Sequence, residues 1–169
     1  MPSGMRVRII DARERRGMRK AEREIKDLGE IERVIHCAEV CRLAMIDDGE
    51  PYIVPLNFGY RNGRFYFHCA REGRKLDVLK ANPRVCFELE GEAELVRGDS
   101  PCQWSTRFES VIGWGRAEIV TDPDGVKEGL QALMDHYSPG TGDFDPHSLS
   151  LTAVIRVEVE RMTGKRSKR

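Results

Sequence analysis

Two stretches, RVCFELEGEAELV from Arg84 to Val96 and RFESVIGWGRAEIV from Arg107 to Val120, alternate apolar and polar residues. A period of two sets successive side chains on opposite faces of an extended chain. Each stretch is therefore a long, half-exposed β-strand, and the loop from Arg97 to Gln103 joins them as a hairpin. A third alternating run, TAVIRVEVERMTG, places Ala153, Ile155, Val157 and Val159 on one face and closes the chain ahead of a basic tail.

Shorter strands come first. VCRLAMI and PYIVPLNFGY flank the turn DDGE, and the hairpin signal at Asn62 and Gly63 leads into RFYFHCA, giving three antiparallel strands in order. The segment from Lys20 to Ala38 sets Ile25, Leu28, Ile31, Val34 and Ile35 on one stripe, as one or two short helices. Arg74 to Asn82 groups Leu76, Val78 and Leu79 before a stop at Pro83, a short helix inserted mid-sheet. Asp122 caps another helix, with Pro123 at its first position and Val126, Leu130, Leu133 and Met134 on its apolar face. SPGTGDFDPHS reads as a loop. The expected class is mainly β with peripheral helices, a six-stranded antiparallel barrel whose closure hides its edges. At 169 residues the chain suits one domain, here 19–169, preceded by a basic, aperiodic arm over 1–18.

Lys plus Arg and Asp plus Glu both number 28, so any basic site must be local. In the arginine-rich start, Asp11, Glu14, Glu22 and Glu24 dilute the charge and no aromatic residue interleaves, which argues against a nucleic-acid partner. The longest apolar runs are strand-sized and the start lacks a signal-peptide core, so neither membrane nor export is expected. Five cysteines without a CxxC pair point to reduced thiols and a cytoplasmic protein. His36, Cys37 and Cys41 lie close in sequence but lack a fourth ligand and diverge in direction; buried thiols account for them, and no metal is expected.

The stretch YFHCAREGRKLDVLKANP carries the chemistry. Alternation puts Phe65, Phe67 and Cys69 on one face of its strand and Tyr66, His68 and Ala70 on the other. After the turn at Gly73 comes a helix start with Arg71, Arg74 and Lys75 around it and no acid, although the exposed amides of a helix start favour acids. An anion such as phosphate would explain the bias; a solvated helix end with a surface histidine explains it equally well. Pro55 lies inside a strand run, where it demands an edge or a bulge. Gly113 and Gly115 flank Trp114, which fits close backbone approach, a bulge or barrel curvature.

The run PYIVPLNFGYRNGRFYFHCAREGRKLDVLKANPRVCFELE, followed by ESVIGWGRAEIV and VEVERMTGK, resembles the FMN-binding split-barrel proteins related to pyridoxamine 5'-phosphate oxidase, above all their nitroimidazole-resistance (nitroimidazole reductase) group. The likeness runs from about Ile31 to Lys165. It implies a homodimeric split barrel with FMN in a cleft between subunits. Val54, Pro55, Leu56 and Asn57 would line the isoalloxazine with backbone groups; His68, Cys69 and Ala70 would sit beside it. Lys75, helped by Arg74 and Arg71, would bind the phosphate, and Ser110 and Val111 would approach the cofactor from the second subunit. The implied activity is reduction of a small molecule, such as a nitroaromatic, with electrons from NAD(P)H, and His68 is the candidate for proton transfer beside the flavin. The superfamily also includes heme-handling proteins and deazaflavin users, so heme or deazaflavin is the alternative ligand and a non-catalytic binding or sensing protein the alternative role. The tail MTGKRSKR does not match the oxidase's substrate-binding pattern, so the pyridoxamine oxidase reaction itself is not expected.

Overall fold

The computed structural model describes residues 8–9, 20–140 and 142–167. In chain order its strands are β1 (Arg8–Ile9), β2 (Glu24–Ile25), β3 (Cys41–Asp47), β4 (Glu50–Leu56), β5 (Gly59–Arg61), β6 (Arg64–Ala70), β7 (Arg84–Val96), β8 (Ser105–Val120) and β9 (Thr152–Ser167). The helices are α1 (Leu28–Cys37), α2 (Arg74–Ala81), α3 (Pro123–Tyr137) and α4 (Pro146–Leu151). The main sheet runs β4-β3-β7-β8-β9-β6-β5, antiparallel throughout, with β1 and β2 added along β9. Its two ends, β4 and β5, do not pair with each other, so the barrel stays open along one seam.

The six long strands match those expected, but their order does not. β4 pairs with β3, whereas β6 pairs with β9 at the other side of the sheet. The run PYIVPLNFGY, expected as one strand, breaks at Asn57 and Phe58 and sends its halves to opposite edges. Phe58 is pulled into the core, and its N–H donates to the Tyr137 hydroxyl at 3.1 Å in place of a ladder bond. Gly59 then packs directly against the backbone of Ala132 in α3, where a side chain would not fit. The register of β3 and β4 is unbroken from Cys41 opposite Leu56 to Asp47 opposite Glu50, so Pro55 sits on an edge strand without a bulge. The register shifts lie instead between Glu90 and Ala93, where β7 pairs with β8, and between Trp114 and Gly115, where β8 pairs with β9 and Gly115 approaches the Glu158 carbonyl.

Two further departures are local. Ile25 belongs to β2 and not to a helix, although it still packs in the core that α1 covers. Asp145 caps α4 by accepting from the Ser148 N–H at 2.9 Å, with Pro146 at the first position, inside the expected loop. Of the basic arm, only Arg8 and Ile9 are described, pairing in parallel with Arg161 and Met162; the remainder lies outside the described residues.

The main core fills the barrel with Phe58, Phe65, Phe67, Phe87, Leu43, Leu89, Ile155 and Met162, and α1 closes one mouth through Ile31, Val34 and Ile35. A smaller core lies outside the barrel, where Tyr66 and Val154 meet Val126, Ala132 and Leu133 of α3.

Candidate anion and cofactor site

The end of β6 carries the expected site residues, with His68 opposite Val154, Cys69 opposite Ala153 and Ala70 opposite Thr152. Cys69 joins the barrel core, and its thiol lies 3.7 Å from the Ala153 carbonyl. His68 points the other way, on the face where Tyr66 is buried under α3, but lies past that cover and is exposed. The two neighbours therefore serve different faces of the strand.

Gly73, at φ 125°, turns the chain into α2 and leaves its start without a side-chain cap. The first amides of a helix lack intrahelical partners, so this terminus presents donors and partial positive charge. The three cations around it divide their work. Arg71 donates to the carbonyls of Thr121 at 2.9 Å and Thr152 at 3.3 Å, tying down strand ends. Arg74 pairs with Asp47 at 2.7 Å and lies 4.5 Å over the Tyr52 ring. Lys75, half-buried, takes part in no ion pair among the described residues. Burial pushes the Cys69 thiol above its usual range, and the nearby Lys75 ammonium partly offsets that. The first turn does contain one acid: Asp77 faces solvent and pairs with Lys80 at 3.4 Å.

Because Arg74 reaches Asp47 and Tyr52, the α2 start sits beside the β3–β4 turn, and Val54 to Asn57 run along the edge strand leading away from it. Val54 and Leu56 pack against the core; Pro55 and Asn57 are exposed. As the terminal strand of the sheet, β4 keeps one row of backbone groups free of ladder partners among the described residues.

Ser110 and Val111 lie far from the β6 end of this cluster but in the row of its β4 end, since Val111 is opposite Leu89, Leu89 opposite Cys41 and Cys41 opposite Leu56. Val120 pairs with Val154, which lies across from His68, and Ser110 comes ten positions earlier on β8. At about 3.3 Å per residue that is ~33 Å along the strand. Val111 is fully buried between Leu89 and Gly164, while Ser110 faces outward on the same side as Ile112 and Trp114.

Sequence reasoning missed a charged cluster near Ser110. Arg33 and Arg166 both converge on Glu109, at 2.7 Å and 2.6 Å. Burial alone would raise the Glu109 carboxyl, but hydrogen bonds from the two guanidiniums hold it below the usual range. Its members lie 76 and 57 positions apart, so no local motif announces it. Among the described residues, no group of three or more His, Cys, Asp or Glu side chains is placed to hold a metal ion. Nor is any described helix long and apolar enough to cross a membrane.

An antiparallel barrel left open at one seam, with helices packed outside it, defines a split-barrel protein. The chain belongs to the pyridoxamine 5'-phosphate oxidase family, whose model matches residues 27–166. It is 34% identical to a candidate 5-nitroimidazole antibiotic resistance protein from Bacteroides thetaiotaomicron VPI-5482, with 84% of this chain and 85% of that one aligned and a TM-score of 0.76. An FAD-binding protein from Mesorhizobium loti is 26% identical over 86% of this chain and 98% of its own, with a TM-score of 0.61. A flavocytochrome from Azotobacter vinelandii shares the fold, with a TM-score of 0.78 over 90% of this chain and 72% of its own at 21% identity.

Proposed function

We propose that the protein is a homodimeric, FMN-dependent oxidoreductase that passes electrons from NAD(P)H to a small acceptor such as a nitroaromatic. The observation that carries this reading is the start of α2, where uncapped amides stand beside a lysine that has no carboxylate partner among the described residues. A phosphate monoester fits that corner, because its charge and oxygens meet both the free N–H groups and the ammonium. Arg71 and Arg74 add to the field while remaining tied to their own partners.

Lys75 would hold the phosphate, and the free backbone row of β4 from Val54 through Asn57 would face the isoalloxazine. Cys69 and Ala70 would flank the ring from the end of β6. When bound, FMN supplies hydride and single-electron transfer. The chain's contribution is orientation, plus a proton: His68 is exposed beside the corner, and an imidazole gives or takes a proton near neutral pH. Likeness to the nitroimidazole-resistance protein supports the choice of acceptor.

Ser110 lies far along β8 from the β6 corner, and the family likeness would bring it to the cofactor from a second subunit. The outward sheet face that carries Ser110 also exposes Ile46, Ile53 and Ile112 around the Arg42–Glu88 ion pair, a mixed surface suited to a second copy.

The test is to purify the protein, record its visible spectrum, titrate the apoprotein with FMN, and follow whether NAD(P)H bleaches the flavin and a nitroaromatic restores it. Bleaching and recovery are expected. Bound flavin that NAD(P)H leaves oxidised would indicate a binding or sensing protein, and a Soret band would indicate heme. No uptake of FMN at micromolar concentration would overturn the reading.

A further inference from the structure

Across the ladder between β7 and β8, Arg84 stands directly opposite Arg116. Both are exposed, and alternation with the buried Val85 and Gly115 puts both on the outward face. Side chains paired in this way have Cβ atoms about 5 Å apart, and like charges so placed repel. The acids nearest to them are engaged elsewhere. Glu158, opposite Arg116 on β9, pairs with Arg64 at 2.6 Å, and Glu118, the next outward residue of β8, pairs with Arg156 at 2.8 Å. Glu160, which the β8–β9 register skips, is exposed and holds no arginine among the described residues. Two guanidiniums thus share one corner, and neither has a carboxylate partner among the described residues.

The backbone beneath the pair is fixed. The chain leaving α2 passes behind it, where the Pro83 carbonyl accepts from the Ala117 N–H at 2.8 Å, and the β7–β8 ladder holds both strands. Beside the pair a groove of about 220 Å³ opens between Arg84, Cys86, Trp114, Ile46 and Pro51. Arg161 lies 4.4 Å over the Trp114 ring and adds a third cation near the groove. Its walls are therefore apolar and aromatic, with positive charge at the ends.

That combination selects a ligand. A phosphate monoester carries a charge of about −1.5 to −2 at pH 7, and its three oxygens accept from two guanidinium forks at once, which a carboxylate does less well. A purine offers a flat π-face to an indole. Together they describe an adenosine whose ribose bears a phosphate monoester. The groove also leads to the row proposed to face the flavin. Pro51 lies three residues before Val54 on β4, ~10 Å along the strand, and its partner Ile46 adjoins Asp47, which holds Arg74 at the start of α2.

We infer that Arg84 and Arg116 bind the 2'-phosphate of a nicotinamide dinucleotide whose adenine lies against Trp114, so that the electron donor is NADPH and not NADH. The donor's role rests on the oxidoreductase reading above; the phosphate site does not.

Calorimetric titration of the full chain without flavin tests the site separately from turnover. Adenosine 2',5'-bisphosphate is expected to bind about tenfold or more tightly than adenosine 5'-monophosphate, and Arg84→Ala and Arg116→Ala should each remove the difference. Because the two arginines repel, neither variant should melt below the wild type, and the bisphosphate should raise the melting temperature of the wild type alone. Arg97→Ala, at the far end of the β7–β8 hairpin, should bind as the wild type does. Equal affinity for the two adenosines, or inorganic phosphate bound as tightly as the bisphosphate, would overturn the nucleotide site. A preference that survives in both arginine variants would overturn the assignment of these residues. With FMN bound, the KM for NADPH should lie about tenfold or more below that for NADH, and Arg84→Ala should close the gap by raising the former. Equal KM values would overturn the choice of donor. Flavin bleached by neither donor, in a protein that still prefers the bisphosphate, would overturn the oxidoreductase reading and uphold the phosphate site.

Discussion

Among the described residues, Lys75 differs from its basic neighbours in holding no carboxylate. Arg71 and Arg74 are committed to carbonyls and to Asp47, so removing either disturbs the protein before it disturbs a ligand. A hydrogen bond to a charged group contributes about 1.5–3 kcal/mol, so Lys75→Ala is expected to weaken FMN binding ~10- to 150-fold without lowering the apoprotein's melting temperature. Quenching of FMN fluorescence on titration measures it, and unchanged affinity would remove Lys75 from the site. A core position makes the complementary case. A Cβ at Gly113 would overlap the Phe87 ring in the fully packed interior, so Gly113→Ala should cost about 1–3 kcal/mol, read as a lower urea midpoint. The placement of these side chains was legible in the sequence, because His68 and Cys69 are adjacent on a strand whose alternation separates their faces and Lys75 follows six positions later in the helix after Gly73. The partners of Arg74 were not: Asp47 lies 27 positions away and is brought near only when α2 folds back over the β3–β4 turn.

At the scale of elements, α3 is fastened to the rest of the fold through a histidine. The His136 ring packs 4.4 Å from that of Phe58, and its Nε2 lies 2.8 Å from the Ala38 carbonyl at the end of α1. Burial, which outweighs the hydrogen bond to Ala38 and is reinforced by His36, holds His136 below its ordinary value of 6.5. The unfolded chain thus binds this proton at higher pH than the folded one does. Stability is full above pH 6.5 and falls as the pH drops through that value toward the lower folded-state value. Chemical denaturation between pH 7.5 and 5 should show this loss, and His136→Gln, which keeps an amide to meet Ala38, should flatten it. A slope unchanged in His136→Gln would assign the loss to other groups. Element boundaries were hardest to read where tertiary packing decides them. Nothing local in PYIVPLNFGY says that Phe58 leaves the strand, since the pull comes from a core assembled out of β6, β7 and α3. The cap of α4 was visible as Asp145 before Pro146, the same pairing that correctly located α3 at Asp122 and Pro123.

For the whole molecule, the open seam and the outward apolar face belong to one design. In the proposed dimer, a cofactor held by the phosphate corner of one chain would be met by Ser110 of the other. Linkage then requires that FMN and the second subunit favour each other by the same factor. Ile53 is far out on the exposed face and packs against little within its own chain, so Ile53→Glu should leave the barrel folded while separating the subunits. In that variant FMN affinity is expected to fall at least tenfold, although every residue of the phosphate corner is intact. In the wild type, saturating FMN should tighten the dimer by the ratio of its affinities for dimer and monomer, which sedimentation with and without flavin measures. A dimer constant indifferent to FMN would locate the whole site in one chain, leaving Ser110 and the outward face without a part in binding.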